Sequence, residues 1–495
     1  MFKKLLSLAL AALMLVGVLA SCALPNADGS NTTANPNSSQ DTTMEETLDI
    51  PDTRYDDTEL CFLTRDESEW STIEIFAEEM TSNTDNINNA VYERNDRILQ
   101  DYGVTITELK KPTGEHYTSV TTEVSAPTGD FHVIVTNAYY SADMATNSFL
   151  WDLNSDYVEY MDLTKPWWDT NLAEGLSIEE KLYFATGDLM TLDNDATFCI
   201  LFNKQIVKDC NIEDLYALVQ NNQWTMDKMY EFSQTAKQDK DGDGKLSWDK
   251  DVAGLAYTVD GPYCLMFGGG ITMCTKDEND SPIYDLDVER AQDIAEKGQL
   301  VFSKDYSVDL NAAQSSSGIT MVEVGQKAFG EGHALFMGEV MQCVTRLRGF
   351  DVDFGILPWP MYDANQGNYY SMMHATASMV SIPKSVGEDD LVRVESMLEA
   401  MSYHSVNTLT KEYYEINLKT KGAKDEQSGP MIDKILASRS CDLAYYYKWG
   451  SNAFGSLANA ALPGSGTSVA SMATKQKKAV ENSIRQLLRK MNKDS

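Results

Sequence analysis

Between Glu59 and Thr136 the sequence alternates stretches of strand period with stretches of helix period, and this alternation constrains the fold more than any other feature. Glu59 to Thr64 reads as a strand. Asn86 to Tyr102 places Ile87, Val91, Ile98 and Leu99 at helical spacing, and Gly103 ends that helix. Val104 to Leu109 alternates as a second strand, Tyr117 to Ser125 suits a short helix, and Phe131 to Thr136 (FHVIVT) reads as a buried strand. A β-α-β-α-β order predicts a parallel sheet with right-handed crossovers. Ligands gather beyond the carboxyl ends of such strands, which marks Arg65, Asp66 and Glu67 and the stretch Asn137 to Tyr140.

A second α/β region starts at Phe198 to Asn203 (FCILFN). Helical periodicity follows near Asp227 to Ala236 and Val288 to Gly298, with strands near Ala334 to Met337 and Phe354 to Leu357. Val469 to Met491 is again helical, with Lys and Arg near its end where they complement the helix dipole. No internal repeat is visible. A folded part of about 445 residues exceeds one ordinary core and implies two to three lobes.

The amino terminus is different in kind. Lys3 and Lys4 precede an unbroken apolar and small run from Leu5 to Ala20, which predicts a signal peptide over 1–21. Leu19-Ala20-Ser21-Cys22 resembles the bacterial lipobox, so Cys22 is expected to carry lipid and become the mature N-terminus at the outer face of the cell membrane. Residues 23–50 hold no aromatic residue and no Lys or Arg, and cannot repay their ordering entropy. With Cys22 they read as a flexible linker over 22–51, spanning about 30 Å as a coil.

Formal net charge is −35, and −37 once Lys3 and Lys4 leave. Such a surface repels phosphate backbones and anionic lipid heads, so no nucleic-acid partner is expected, and the membrane is met only through the anchor. Besides Cys22 there are seven cysteines, an odd number without any C-x-x-C, which does not indicate a disulfide framework. Pairing of Cys264 with Cys274 stays open beside buried free thiols.

Six blocks, in order, resemble the extracellular solute-binding proteins of family 1, the lipoprotein receptors of ABC sugar importers, as in gut Firmicutes. They are Asn88-Asn89-Ala90-Val91-Tyr92-Glu93-Arg94-Asn95 with Tyr102-Gly103-Val104; Lys165-Pro166-Trp167-Trp168-Asp169 with Leu176-Ser177-Ile178 and Lys181-Leu182-Tyr183; and Leu201-Phe202-Asn203-Lys204. Trp224-Thr225-Met226-Asp227-Lys228, Phe329 to Met337 (FGEGHALFM) and Asp353 to Pro360 (DFGILPWP) complete the set. The resemblance implies an α/β, two-lobed periplasmic-binding-protein-like (type II) fold with a hinge. It implies lobe one at 52–196 plus 375–435 and lobe two at 197–374 plus 436–495, with crossings near Asp195 and Thr376. It also implies a monomeric, non-enzymatic receptor that hands a solute, an oligosaccharide above all, to ABC permease subunits, with no required cofactor.

A neutral sugar has C–H-rich faces and hydroxyl edges, so its site needs aromatic planes together with carboxylates, amides or Arg. Candidate aromatics are Trp70, Tyr139, Tyr140, Phe267, Trp359 and Tyr370; candidate polar partners are Arg65, Asp66, Glu67, Asn137, Asn194, Asp195 and Glu339. Trp167 and Trp168 read better as a structural plug. Asp239 to Ser247 (DKDGDGKLS) matches the first nine positions of an EF-hand loop, which makes Asp239, Asp241, Asp243, Lys245 through its carbonyl, and Ser247 candidate ligands of a structural Ca²⁺. Lys250 stands where a bidentate Glu is usual, leaving Asp251 to substitute.

The rival classes are a secreted glycan-acting hydrolase, a receptor for peptide or another polar solute, and a calcium-dependent adhesin. The chain has no H-E-x-x-H and no G-x-S-x-G, and its histidines (116, 132, 333, 374, 404) lack metal-ligand spacing.

Overall fold

The computed structural model describes residues 47–66, 74–80, 86–413 and 425–492, all within the unit that starts at Thr47. Cys22, the signal peptide and most of the linker, like Glu67 and Trp70, lie outside the described residues. Among the described residues no helix is long and apolar enough to cross a membrane.

The first half is built as β1 (Thr58–Arg65), α1 (Asn86–Tyr102), β2 (Val104–Lys111), α2 (His116–Ser125), β3 (Val133–Asn137), α3 (Ala138–Thr146) and α4 (Thr170–Leu176). β1 runs parallel to both β2 and β3. Its last six residues are all buried, as expected of a central parallel strand covered on both faces. Gly103 takes φ +73°, and its N–H closes on Leu99 O at 3.0 Å. A Cβ there would stand 2.7 Å from Asp56, so the turn into β2 requires glycine.

The N-N-A-V-Y-E-R-N block on α1 is a clamp. Arg94 is 0 % exposed, and its guanidinium donates to Leu189 O, Glu74 O, Ile75 O and the Ser405 hydroxyl. Burial holds its pKa down at about 9. Leu99, expected inward, is 43 % exposed.

The second half has β4 (Phe198–Asn203), α5 (Met226–Ala236), β5 (Ala253–Tyr257), α6 (Gly261–Gly268), α7 (Val288–Val301), β6 (Ser307–Asp309), β7 (Ala334–Val340) and β8 (Phe354–Leu357). The chain then returns to the first sheet with β9 (Ser378–Ser381) and α8 (Glu388–Asn407), and ends with α9 (Ser428–Ala437) and α10 (Val469–Met491). The first sheet has the order β9-β3-β1-β2 and the second β8-β4-β7-β5-β6. α8 packs on α1, whereas α9 packs on β8.

The other blocks of the resemblance are likewise structural. Trp167 and Trp168 each donate their indole N–H to Glu399, at 3.0 and 2.8 Å. Asn203 caps the helix that follows β4, Lys204 pairs with Asp353 and Asp425, and Trp224 Nε1 donates to Pro358 O at 2.9 Å. In β7, a Cβ on Gly338 would stand 2.6 Å from the Trp359 ring, so the glycine admits that indole.

Candidate functional site

The two halves are joined where the chain crosses between them. His374 N–H donates to Ala196 O at 2.9 Å, Ala138 N–H to Ala375 O at 2.9 Å, and Arg65 Nη1 to Thr376 O at 3.0 Å. The carboxyl ends of β1 and β3 therefore abut the crossings, where strand-end loops collect ligands.

Beside the crossings, residues from distant stretches meet. Tyr139 of α3 stands edge-on to Tyr445, with ring centroids 6.0 Å apart, and Lys448 Nζ lies 3.5 Å from its ring centre. Tyr445 in turn contacts Tyr263 of α6 at 5.8 Å, and its hydroxyl accepts from Ala375 N–H at 3.2 Å. Burial pushes the Tyr139 phenol up to about 12.

Carboxylates face this aromatic cluster. Asp260, just before α6, lies 3.8 Å from His374 Nε2. Burial raises the acid and lowers the imidazole, so both drift toward their neutral forms. Glu339 of β7 is buried and pushed up to about 7, chiefly by desolvation, with the charge of Asp260 adding to it. Asp195 is raised to about 7 by burial and accepts from the Tyr413 hydroxyl. Half-neutral carboxyls can both donate to and accept from hydroxyls, which suits a polyol.

Of the residues marked from sequence, Tyr139 lies in this cluster and Glu339 adjoins it through Asp260, whereas Arg65 reaches the second crossing at Thr376 and Asp195, next to Ala196, is held by Tyr413. Asp66, half-buried, follows β1, its N–H on Lys111 O at 2.9 Å. Tyr140 is half-buried on α3, and Asn137 spends its amide oxygen as that helix's cap, on Tyr140 N–H. Asn194 accepts from Arg439. Phe267 and Trp359 are each 1 % exposed: Phe267 packs on Tyr445 and Phe454, and Trp359 sits on Gly338 and Gly268, so both are core. Tyr370 is half-buried beside Gly270 and lines a different space. Sequence reasoning missed Asp260, Tyr263, His374, Tyr445 and Lys448. The loop after β5 is itself a strand carboxyl end, and the run Tyr445-Tyr446-Tyr447-Lys448 is an aromatic cluster plain in the sequence.

The cavities lie elsewhere. One of about 840 Å³ is walled by α4, Cys274 to Lys276, residues 367–370 and α9; another of about 300 Å³ is lined by Trp167, Trp168, Asp188, Asp193 and Arg439. Neither is bounded by the carboxyl ends of β1 and β3, so size and position disagree. Position is the better guide, because those strand ends and the crossings bring both halves to one point.

In the acidic loop, carboxylate oxygens of Asp239, Asp241 and Asp243 lie within 4.8 Å of one another. Lys245 N–H donates to Asp243 at 2.7 Å, and Lys250 Nζ is 3.7 Å from Asp241. Asp251 accepts from Lys240 N–H, Ser247 N–H and the Ser247 hydroxyl, so the acid expected to replace the twelfth ligand is engaged in folding the loop. Cys264 and Cys274 are both buried free thiols.

No family model and no curated protein matches this chain. Solved structures do. The GacH receptor of Streptomyces glaucescens, solved unliganded and with acarbose, is 13 % identical over 86 % of this chain and 98 % of its own, with a TM-score of 0.53. The maltose/maltodextrin-binding domain MalE of Bdellovibrio bacteriovorus, bound to maltotriose, is 13 % identical over 86 % of this chain and 100 % of its own, at 0.52. A sugar transporter protein of Rhizobium etli in an open conformation is 11 % identical over 86 % of this chain and 99 % of its own, at 0.56. The chain thus has the two-lobed fold of periplasmic binding proteins.

Proposed function

We propose that this protein is a cell-surface lipoprotein, anchored through Cys22, that closes two lobes on an extracellular carbohydrate and delivers it to the permease of an ABC importer. One observation carries the reading: Tyr139 of the first half meets Tyr445, and through it Tyr263, of the second beside the crossings, and the second half adds the buried carboxyls Asp260 and Glu339. That combination offers C–H faces a plane and hydroxyls an acceptor. The fold neighbours named for sugars add support at the level of architecture.

The same reading gives the protein a structural Ca²⁺ in the loop Asp239 to Ser247, where three carboxylates repel unless a hard cation sits among them.

The test is a glycan panel on the purified mature chain. A cognate oligosaccharide raises the melting temperature and is recovered intact by chromatography. Conversion of the glycan to product, or no shift with any member of a broad panel, would retire the reading.

A further inference from the structure

Whole-chain charge predicts repulsion from anionic surfaces, but the charge is not evenly spread. Between Asp442 and Asp494 the one acidic residue is Glu481, in a chain of 495 residues with 75 acids. Six cations crowd the last helix, α10. Of these, Lys475, Lys478, Arg485 and Arg489 fall within about 80° of one another around its axis and over about 21 Å along it. All four are exposed, on the side opposite the buried Val480, Ile484, Leu487 and Met491.

Little within the protein neutralises this stripe. Among the described residues Lys475, Lys478 and Arg489 make no ion pair, and Arg485 stands 3.9 Å from Glu481. Lys490 Nζ donates to Asn147 Oδ1 at 2.9 Å and Lys477 Nζ lies 5.8 Å from the Tyr284 ring centre, so neither is counted in the stripe. The segment Trp449–Ala458, packed beneath α10, carries no charged side chain.

The chemistry of the stripe selects its partner. Every exposed position from Thr474 to Lys490 is polar, so the face lacks the aromatic and apolar anchors that hold a protein partner. A row of fixed cations without a pocket suits instead an extended array of negative charge. A lipid on Cys22 brings such an array, the phosphodiester headgroups of a bilayer, within reach. Acids further than about 8 Å from the docked face are screened at physiological salt, so the net charge of −35 does not decide the outcome there.

Resting on the lipoprotein reading above, we propose that the exposed face of α10 is a second, electrostatic contact with the membrane, which takes the anionic headgroups of phospholipids and turns this side of the receptor toward the bilayer.

The experiment is co-sedimentation of the full mature chain, produced without its lipid so that the anchor contributes nothing, with vesicles of phosphatidylcholine alone or of phosphatidylcholine and phosphatidylglycerol in equal parts. Each Lys or Arg near an anionic surface contributes about fivefold in partitioning, so the chain should favour the mixed vesicles by about 100-fold or more at low salt. That preference should shrink at physiological salt, a wild-type measurement that stands whether or not a variant folds. The quadruple variant Lys475→Gln, Lys478→Gln, Arg485→Gln and Arg489→Gln should bring the ratio within about threefold of unity. A matched variant, Lys110→Gln, Lys208→Gln, Lys237→Gln and Lys304→Gln, removes the same charge from exposed positions outside α10 and should keep the preference. Equal sedimentation with both kinds of vesicle, equal losses in the two variants, or binding of soluble polyphosphate by a chain that ignores the mixed vesicles overturns the inference. No glycan enters the measurement, so these outcomes leave solute capture standing. Whether Cys22 carries lipid is read separately, by mass spectrometry of the chain from its own membrane; a bare thiol there retires the anchored reading and the inference with it.

Discussion

Arg94→Met isolates what the polar block on α1 contributes. Methionine nearly matches the bulk of the arginine stem but removes every donor. In the wild type Nη1 reaches Leu189 O at 3.0 Å and Nη2 reaches Glu74 O and Ile75 O at 2.9 Å each. Ile75 O keeps a second donor, Asn95 Nδ2 at 2.8 Å, so the substitution orphans two buried carbonyls, those of Leu189 and Glu74. Each unmet acceptor costs about 1–3 kcal/mol, and relief of the desolvated guanidinium offsets part of that, which leaves about 3 kcal/mol. Unfolding entropy near 2.1 cal/mol/K per residue over about 445 residues gives about 0.9 kcal/mol/K, so the melting temperature should fall by about 3 °C. Differential scanning calorimetry reads this directly. Arg94 touches none of the groups at the crossings, so solute affinity should stay within about twofold. A variant that melts within about 1 °C of wild type, or one that loses affinity without losing stability, would refute the clamp.

Tyr139→Ala should weaken solute binding by about tenfold or more through loss of a stacking plane, with little change in melting temperature; calorimetry that finds affinity unchanged removes Tyr139 from the site. Tyr140→Ala serves as its neighbour control, with a smaller loss expected because its ring lacks the Tyr445 and Lys448 contacts. Glu339, raised from the usual range to about 7, binds its proton more tightly folded than unfolded, so its contribution to stability is full below about pH 4.5 and lost as pH rises toward about 7. Melting curves across pH 4–8 should show that decline, flattened in Glu339→Gln; an identical profile in the variant refutes it. Added Ca²⁺ should raise the melting temperature by about 3 °C over EDTA at 100 times the Kd, and Asp241→Asn should abolish the difference; no shift removes the ion from the loop.

The sheets were legible because their signals are local. Phe198 to Asn203, Phe354 to Leu357 and Val469 to Met491 appear in the structure with the bounds that periodicity gave them. The parallel pairing of β1 with β2 and β3 follows from the strand–helix–strand order. Where pattern failed, a polar residue held an interior place. On α1 the buried set is Asn88, Ala90, Val91, Arg94 and Ile98, while Leu99 points outward. Apolar periodicity assigns Arg94 to solvent; the carbonyls of two neighbouring segments, Glu74 with Ile75 and Leu189, and the Ser405 hydroxyl draw it inside. The aromatic candidates failed for a related reason. Trp359 is accommodated by Gly338, which lies on another strand, so the pocket that buries it is invisible from its own neighbours in sequence.

The site was legible only to the extent that strand ends announce it. Rules about strand ends picked out Arg65 and Tyr139, both of which reach the crossings, but were applied only to the first sheet; carried to β5, they would have reached Asp260 and Tyr263. Residue type adds little, since 75 acidic residues compete for the same role. What distinguishes Glu339 and Asp260 is that each is removed from water, Glu339 with the charge of Asp260 nearby and Asp260 opposite an imidazole that burial drives toward its neutral form. Burial of this sort arises when segments far apart in the chain close on one another, as α3 does on the stretch Tyr445 to Lys448. The blocks that make the resemblance persuasive are the ones that fix the scaffold: Arg94, Trp167, Trp168 and Trp224 spend their polar atoms on backbone or on the buried Glu399, and Lys204 spends its ammonium on Asp353 and Asp425. A scaffold so determined leaves the loops after its strands free to differ, which is why the fold can be read at great sequence distance while the solute must be read from the groups those loops carry.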